Sequence, residues 1–263
     1  MSDFLNRVIN RIVCGSQILS ATAILESTLR LRTVLTALQF TAPVAHVYNP
    51  LDYAFEAYQT YIQRFGNAQG RIVLLGMNPG PWGMMQVGVP FGEVSAVRDW
   101  MGINQGIIPP LTQHPKRPIQ GFECTRSEVS GKRLWSWAQE DFGTAEAFFE
   151  HYFVINYCPL IWLEAGGKNR TPEQLPAAQI NPVYAACNQH LSEVLHLLKP
   201  TMAIGIGGFA QKRLTKIIDA PESGLTAIKV GTILHPSPAS PIANRGWASQ
   251  ARAQLTALGA PTG

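Results

Sequence analysis

Residues 71–83 read RIVLLGMNPGPWG, and their interpretation decides the fold. The run Arg71-Ile72-Val73-Leu74-Leu75 is apolar, rich in β-branched and Leu residues, of strand length and bounded by Gly70 and Gly76. It reads as a buried strand. One amide side chain, Asn78, follows among Pro79, Gly80, Pro81 and Gly83. The prolines fix φ and remove two N–H groups, while the glycines permit close backbone approach. A stiff loop at the C-terminal end of a strand is where open α/β sheets place ligand chemistry.

Working outward, three more runs read as strands: 153–158, stopped by Pro159; Met202–Ile206, turned by Gly207-Gly208; and 227–234, running into His235-Pro236-Ser237-Pro238. Helical spacing is expected over 51–65, 92–101, 132–142, 144–151, 177–198, 209–218 and 246–258. Residues 3–38 read as two amphipathic helices broken near Gly15-Ser16. Residues 104–130, with Pro109, Pro110, Pro115 and Pro118, and residues 164–176 read as loops. Strands alternating with helices imply a mostly parallel four-stranded sheet covered on both faces. The expected organisation is a single α/β domain over 46–263 with an N-terminal helical extension over 1–45.

Composition narrows the class. Of 263 residues, 46% are hydrophobic, which suits a globular chain with a full core. A balance of 21 basic against 17 acidic residues, net +4, permits a nucleic-acid partner without demanding one. Cys14, Cys124, Cys158 and Cys187 form no compact ligand motif, so no metal site and no cofactor is expected, and spread single cysteines suit a reducing compartment. No apolar run is long enough to span a membrane. Arg7, Arg11, Arg30 and Arg32 admit a transit peptide, but Asp3, Glu26 and the amphipathic spacing favour ordinary helices.

The C-terminal ends of parallel strands share one edge, so Asn78, Asn156 and His235 should converge on one crevice. Two amides and an imidazole suit reading a flat polar heterocycle and steadying charge on it. They suit hydride or acyl transfer poorly.

Three ordered motifs, GMNPGPWGMMQVGVPFGEV (76–94), FVINYCPL (153–160) and HPSPASPIANRGW (235–247), resemble those of the single-strand-selective monofunctional uracil-DNA glycosylases, a family of the uracil-DNA glycosylase superfamily. The likeness extends to HPKRPIQGFECTRSEVSGKRLW (114–135) and GGKNRTPEQLP (166–176), over roughly residues 45–260. It implies a uracil-DNA glycosylase-like fold and a monofunctional enzyme that flips uracil or 5-hydroxymethyluracil out of DNA and leaves an abasic site. It implies that Asn78 positions the attacking water, and His235 meets the pyrimidine O2. It implies further that Phe91 stacks on the extruded base and that Asn156 reads its Watson–Crick edge. Gly80 and Met84 match family positions that help hold a water near C5, and Met77 completes the expected base-recognition set.

For DNA contacts the resemblance points to Ser237, Pro238, Ala239, Ser240, Pro241, Asn244 and Arg245, a segment that penetrates the duplex in the family. Lys116 and Arg117 in the long loop are expected to meet phosphates, with Arg126, Lys132, Arg133, Lys168 and Arg170 as further basic candidates. Family members can carry Arg where this chain has Ala239, which is too short to fill the hole left by the base. A stronger preference for single strands follows. The expected partners are single- and double-stranded DNA carrying uracil or an oxidised pyrimidine, with no membrane and a monomeric protein. The expected location is the cytoplasm or nucleoid of a bacterium, or the nucleus of a eukaryote, without secretion. The rival reading is a non-catalytic single-strand or damaged-base binder on the same fold. A methyltransferase, faintly suggested by Asn-Pro-Gly-Pro, lacks the glycine-rich cofactor loop it would need.

Overall fold

The computed structural model describes residues 20–263. The first of the two expected N-terminal helices lies outside the described residues. The second is a helix over 20–36, here α1.

Two sheets organise the rest. The larger has four strands, β2 (Ile72–Gly76), β3 (Tyr152–Asn156), β6 (Met202–Ile206) and β7 (Lys229–Ile233), in the order β3-β2-β6-β7. Every neighbouring pair is parallel. β2 and β6 are buried throughout, as expected for central strands covered on both faces. Helices supply the crossovers: α5 (Val129–Phe142) and α6 (Ala145–His151) before β3, α7 (Ala177–Leu198) before β6, α8 (Gly208–Ile218) before β7 and α9 (Trp247–Leu258) after it. Among the described residues, no helix is long and apolar enough to cross a membrane.

The smaller sheet was not expected. Its strands β1 (Val44–Tyr48), β4 (Ile161–Glu164) and β5 (Asn169–Arg170) pair antiparallel in the order β1-β4-β5. The expected boundary between extension and domain, at 45/46, falls inside β1.

Three helices depart from their expected bounds. The 51–65 helix divides into α2 (Pro50–Tyr53) and α3 (Phe55–Phe65) at Ala54, which lies against Gly88, where a Cβ would meet the Ala54 carbonyl at 2.7 Å. The 92–101 stretch is a single π-helical turn, Ala96–Trp100. α5 begins at Val129, three residues early, and this brings Glu128 to its N-terminus.

The long loop over 104–130 is bolted down by a buried amide. Gln86, in the short helix α4 (Met84–Val87), donates to Pro81 O at 3.1 Å and Pro118 O at 3.0 Å and accepts from Gln120 N at 2.8 Å. The Tyr48 hydroxyl donates to Arg117 O and accepts from His114 N. The first anchor ties the loop to the 76–87 segment and the second ties it to β1.

Candidate active site

The loops after β2 and β3 remain zipped beyond the strands. Tyr157 N donates to Gly76 O and Cys158 N to Met77 O, each at 2.9 Å. This ladder sets Asn78 beside Asn156. With His235 beyond the end of β7, they open into one cavity of about 130 Å³. Met77, Gly80, Met84 and Phe91 line it too. Ligand clefts for drug-sized molecules run about 300–1,000 Å³, so this one suits a single small ring. Seven residues expected at a base-binding site are thereby brought together.

Each is held by its neighbours. Asn78 Nδ2 donates to Leu160 O at 3.2 Å, which leaves its carbonyl oxygen as the acceptor for a water. Asn156 Nδ2 lies 3.3 Å from Met84 Sδ. Phe91 has φ +53°, a left-handed conformation costing a bulky residue about 1–3 kcal/mol. Its carbonyl accepts from Trp135 Nε1 at 2.9 Å, and a Cβ on Gly131 would come within 2.1 Å of that oxygen. Trp135 and Gly131 on α5 thus fix the backbone that aims the ring. The Phe91 and His235 rings are 6.3 Å apart, between centroids. Burial pushes the His235 imidazole below its ordinary pKa, so it is neutral at pH 7 and can donate one N–H.

Four groups escaped sequence reading. Gly76 ends β2, and a Cβ there would lie 2.3 Å from Asn156 Oδ1 and 2.4 Å from Phe91 Cε2. Both functional side chains rest on its bare Cα. Glu128, Asn169 and Thr171 also line the cavity. Glu128 could have been suspected from its place just before a helix, but its contact with the 76–83 loop has no sequence signal. Among the described residues no cluster of His, Cys, Asp and Glu is placed to hold a metal ion.

Residues 63–255 match the model of the uracil DNA glycosylase superfamily. The chain belongs to this superfamily. It is 44% identical over 240 residues to the rat "Single-strand selective monofunctional uracil-DNA glycosylase", covering 91% of this chain and 85% of the relative. The mouse protein of that name matches equally, at 44% over the same shares, and the bovine one at 43% over 91% of this chain and 87% of its own. These identities place the chain in the single-strand-selective monofunctional family. The crystal structure of wild-type SMUG2 from Pedobacter heparinus superposes with a TM-score of 0.61, covering 90% of this chain and 98% of that one. At 18% identity it bears on the fold alone.

The glycosylase's expected DNA contacts divide. Ser237, Pro238, Ala239, Ser240, Pro241 and Arg245 lie on the segment beyond His235, with Pro238, Ala239, Pro241 and Arg245 exposed. Ile242 is also exposed, at 54%. Asn244 is engaged within the segment: Nδ2 donates to Pro238 O at 2.9 Å, and Oδ1 accepts from Arg133 at 2.8 Å. Arg133 also donates to Pro236 O and Ser237 O, so it braces the segment from α5 instead of standing free for phosphate. Lys116 is exposed. Arg117 donates to Gly167 O at 3.0 Å, and its guanidinium lies 4.9 Å from the Trp82 ring centroid. Arg126 sits 4.5 Å from the same centroid. Arg170 pairs with Glu164 at 2.9 Å, and Lys168 approaches it at 3.8 Å, so both expected cations have an internal anion.

Proposed function

We propose that this protein is a monofunctional uracil-DNA glycosylase that hydrolyses the N-glycosidic bond of uracil and of 5-hydroxymethyluracil and leaves the strand intact. The observation that carries the reading is the meeting of Asn78, Asn156, Phe91 and His235 on one ring-sized cavity, in a chain of this family.

A base inside a duplex is out of reach and must be extruded, at a cost of a few kcal/mol. Stacking on one aromatic ring returns about 1–3 kcal/mol, which is the task of Phe91. Asn156 accepts from uracil N3–H and donates to O4, a pattern cytosine does not match.

Asn78 is no general base at neutral pH, so the bond breaks largely before water attacks. The electron pair of C1′–N1 leaves with the base as a uracil anion, and the sugar becomes oxocarbenium-like. Neutral His235 donates its N–H to O2, where charge collects, a role typically worth about 2.7–4 kcal/mol. The water held by Asn78 adds to C1′ and releases its proton to the anion or to solvent. Among the described residues the cavity lining includes no lysine to form a Schiff base. That supports release of the base without strand cleavage.

The test is the mass of the product strand after incubation with single-stranded oligonucleotides carrying uracil, 5-hydroxymethyluracil, thymine or cytosine. Full-length strands with one abasic site from the first two substrates are expected. Cleaved strands without alkali would refute the monofunctional reading. Tight binding without base release from any of them would favour a non-catalytic binder.

A further inference from the structure

One carboxylate in the cavity is unused by this mechanism. Glu128 lines it beside Gly80 and Gly83. Its Oε2 lies 2.3 Å from where a Cβ on Gly80 would stand, and its Cγ 3.0 Å from the same point on Gly83. The two glycines leave the room that the carboxylate fills. Although Glu128 stands at the N-terminus of α5, its side chain caps no N–H of that helix. An ionised carboxylate offers about four acceptor sites, and those turned to the cavity are open to a donor. Asn169 adds a second open acceptor to the lining: Nδ2 reaches Pro79 O at 3.4 Å, while its buried Oδ1 has no partner. A wall of unfilled acceptors calls for a ligand that brings a donor.

The order of atoms round the base says which position faces it. With O2 at His235 and N3–H and O4 at Asn156, the next ring position is C5. Asn156 touches the Met84 sulfur, and Met84 directly follows Gly83, against which Glu128 packs. The path from O4 along Met84 therefore ends at the carboxylate.

We propose that Glu128 reads the substituent at position 5, accepting a hydrogen bond from a 5-hydroxymethyl hydroxyl, or from the water that stands there when the base is uracil. The inference rests on the uracil-excision reading of this site. A methyl group brings no donor, displaces the water and leaves the acceptor unpaired, so the same residue disfavours thymine. Glu128 also braces the catalytic loop by packing against Gly80 and Gly83. Loss of that brace would slow every substrate alike, so the substrate ratio separates the two roles.

The experiment compares kcat/KM for uracil and 5-hydroxymethyluracil in matched single-stranded oligonucleotides, with wild-type protein and Glu128→Gln. The 5-hydroxymethyluracil:uracil ratio should fall about fivefold in the variant, because a charged acceptor is replaced by a neutral amide. An unchanged ratio, with both substrates slowed in parallel, reduces Glu128 to a brace and overturns the proposal. Should the variant not fold, the wild-type ratio against pH decides. Burial raises the Glu128 carboxyl, so its ionised form is lost on acidification above the usual carboxylate range, and the ratio should fall there. His235, the other titratable group among the described lining residues, faces O2 and affects both bases alike. Arg117 and Arg126 are the charged groups nearby, and both stack over Trp82. A ratio flat in pH overturns the proposal. Wild-type protein that releases neither base sinks the underlying excision reading instead.

Discussion

Gly76→Ala should separate activity from folding. The added methyl would sit 2.3 Å from Asn156 Oδ1, 2.4 Å from Phe91 Cε2 and 2.9 Å from Phe91 Cζ. All three atoms are the far ends of side chains that can swing into the cavity. The chain can thus keep its fold by displacing the two groups that recognise the base. Overpacking of this kind costs about 1–3 kcal/mol, which at about 2–4 °C per kcal/mol lowers Tm by several degrees. The catalytic loss is larger. Misplacing Phe91 forfeits about 1–3 kcal/mol of stacking, and misplacing Asn156 about 1 kcal/mol for each of two hydrogen bonds. Together these amount to roughly 10²–10⁴ in kcat/KM at about 1.4 kcal/mol per decade. Single-turnover uracil release and thermal denaturation, run on one preparation, give both numbers. Activity within threefold of wild type would refute the claim that Asn156 and Phe91 work from these positions.

Replacing His235 by Ala should cost about 10²–10³ in kcat, read by single-turnover release. Because burial lowers the imidazole pKa, the neutral donor predominates at and above pH 7, and the wild-type rate should not climb as pH falls from 7 towards 6. A steady climb over that range would make the imidazolium the working form. Ala239→Arg should raise the duplex:single-strand activity ratio about tenfold, by filling part of the hole left by the base; the two oligonucleotide forms measure it. Stability should depend on His190, which donates to Ser27 Oγ while Ser27 donates to Glu193, tying α1 to α7. Burial holds this imidazole down to about 4, from 6.5. The unfolded chain therefore binds a proton that the folded chain excludes between those values, and stability is lost as pH falls through them. The loss is roughly 3 kcal/mol at about 1.4 kcal/mol per unit, and urea unfolding at pH 7 and pH 4.5 should show it shrink in His190→Gln.

The central sheet was legible because each of its strands is a short apolar run ending at Gly or Pro. Asn78, Asn156 and His235 were legible because they sit at those ends, where parallel topology fixes a common edge. The small sheet was hidden: β5 spans only Asn169–Arg170, and pairing with β4 defines it better than any propensity. Gly76 was read only as the glycine that bounds a strand, and Gly131 fell between an expected loop and an expected helix. Their importance lies in where Phe91 approaches them, and only the folded chain shows that. The contact of Glu128 with the 76–83 loop is equally invisible, since that loop lies more than forty residues away. Arg133 and Asn244 have a second role that the sequence did not show. Their residue types suit DNA contact, but the fold pairs them with each other.

The most direct test of the account is single-turnover uracil release from a single-stranded oligonucleotide, with gels run before and after alkali, for wild-type protein and Asn78→Ala. The account predicts strands that break only after alkali with the wild type, and a loss of at least about 10²-fold in Asn78→Ala with oligonucleotide binding retained. Equal release by the two proteins would contradict it, because the water would then be held by some group other than Asn78.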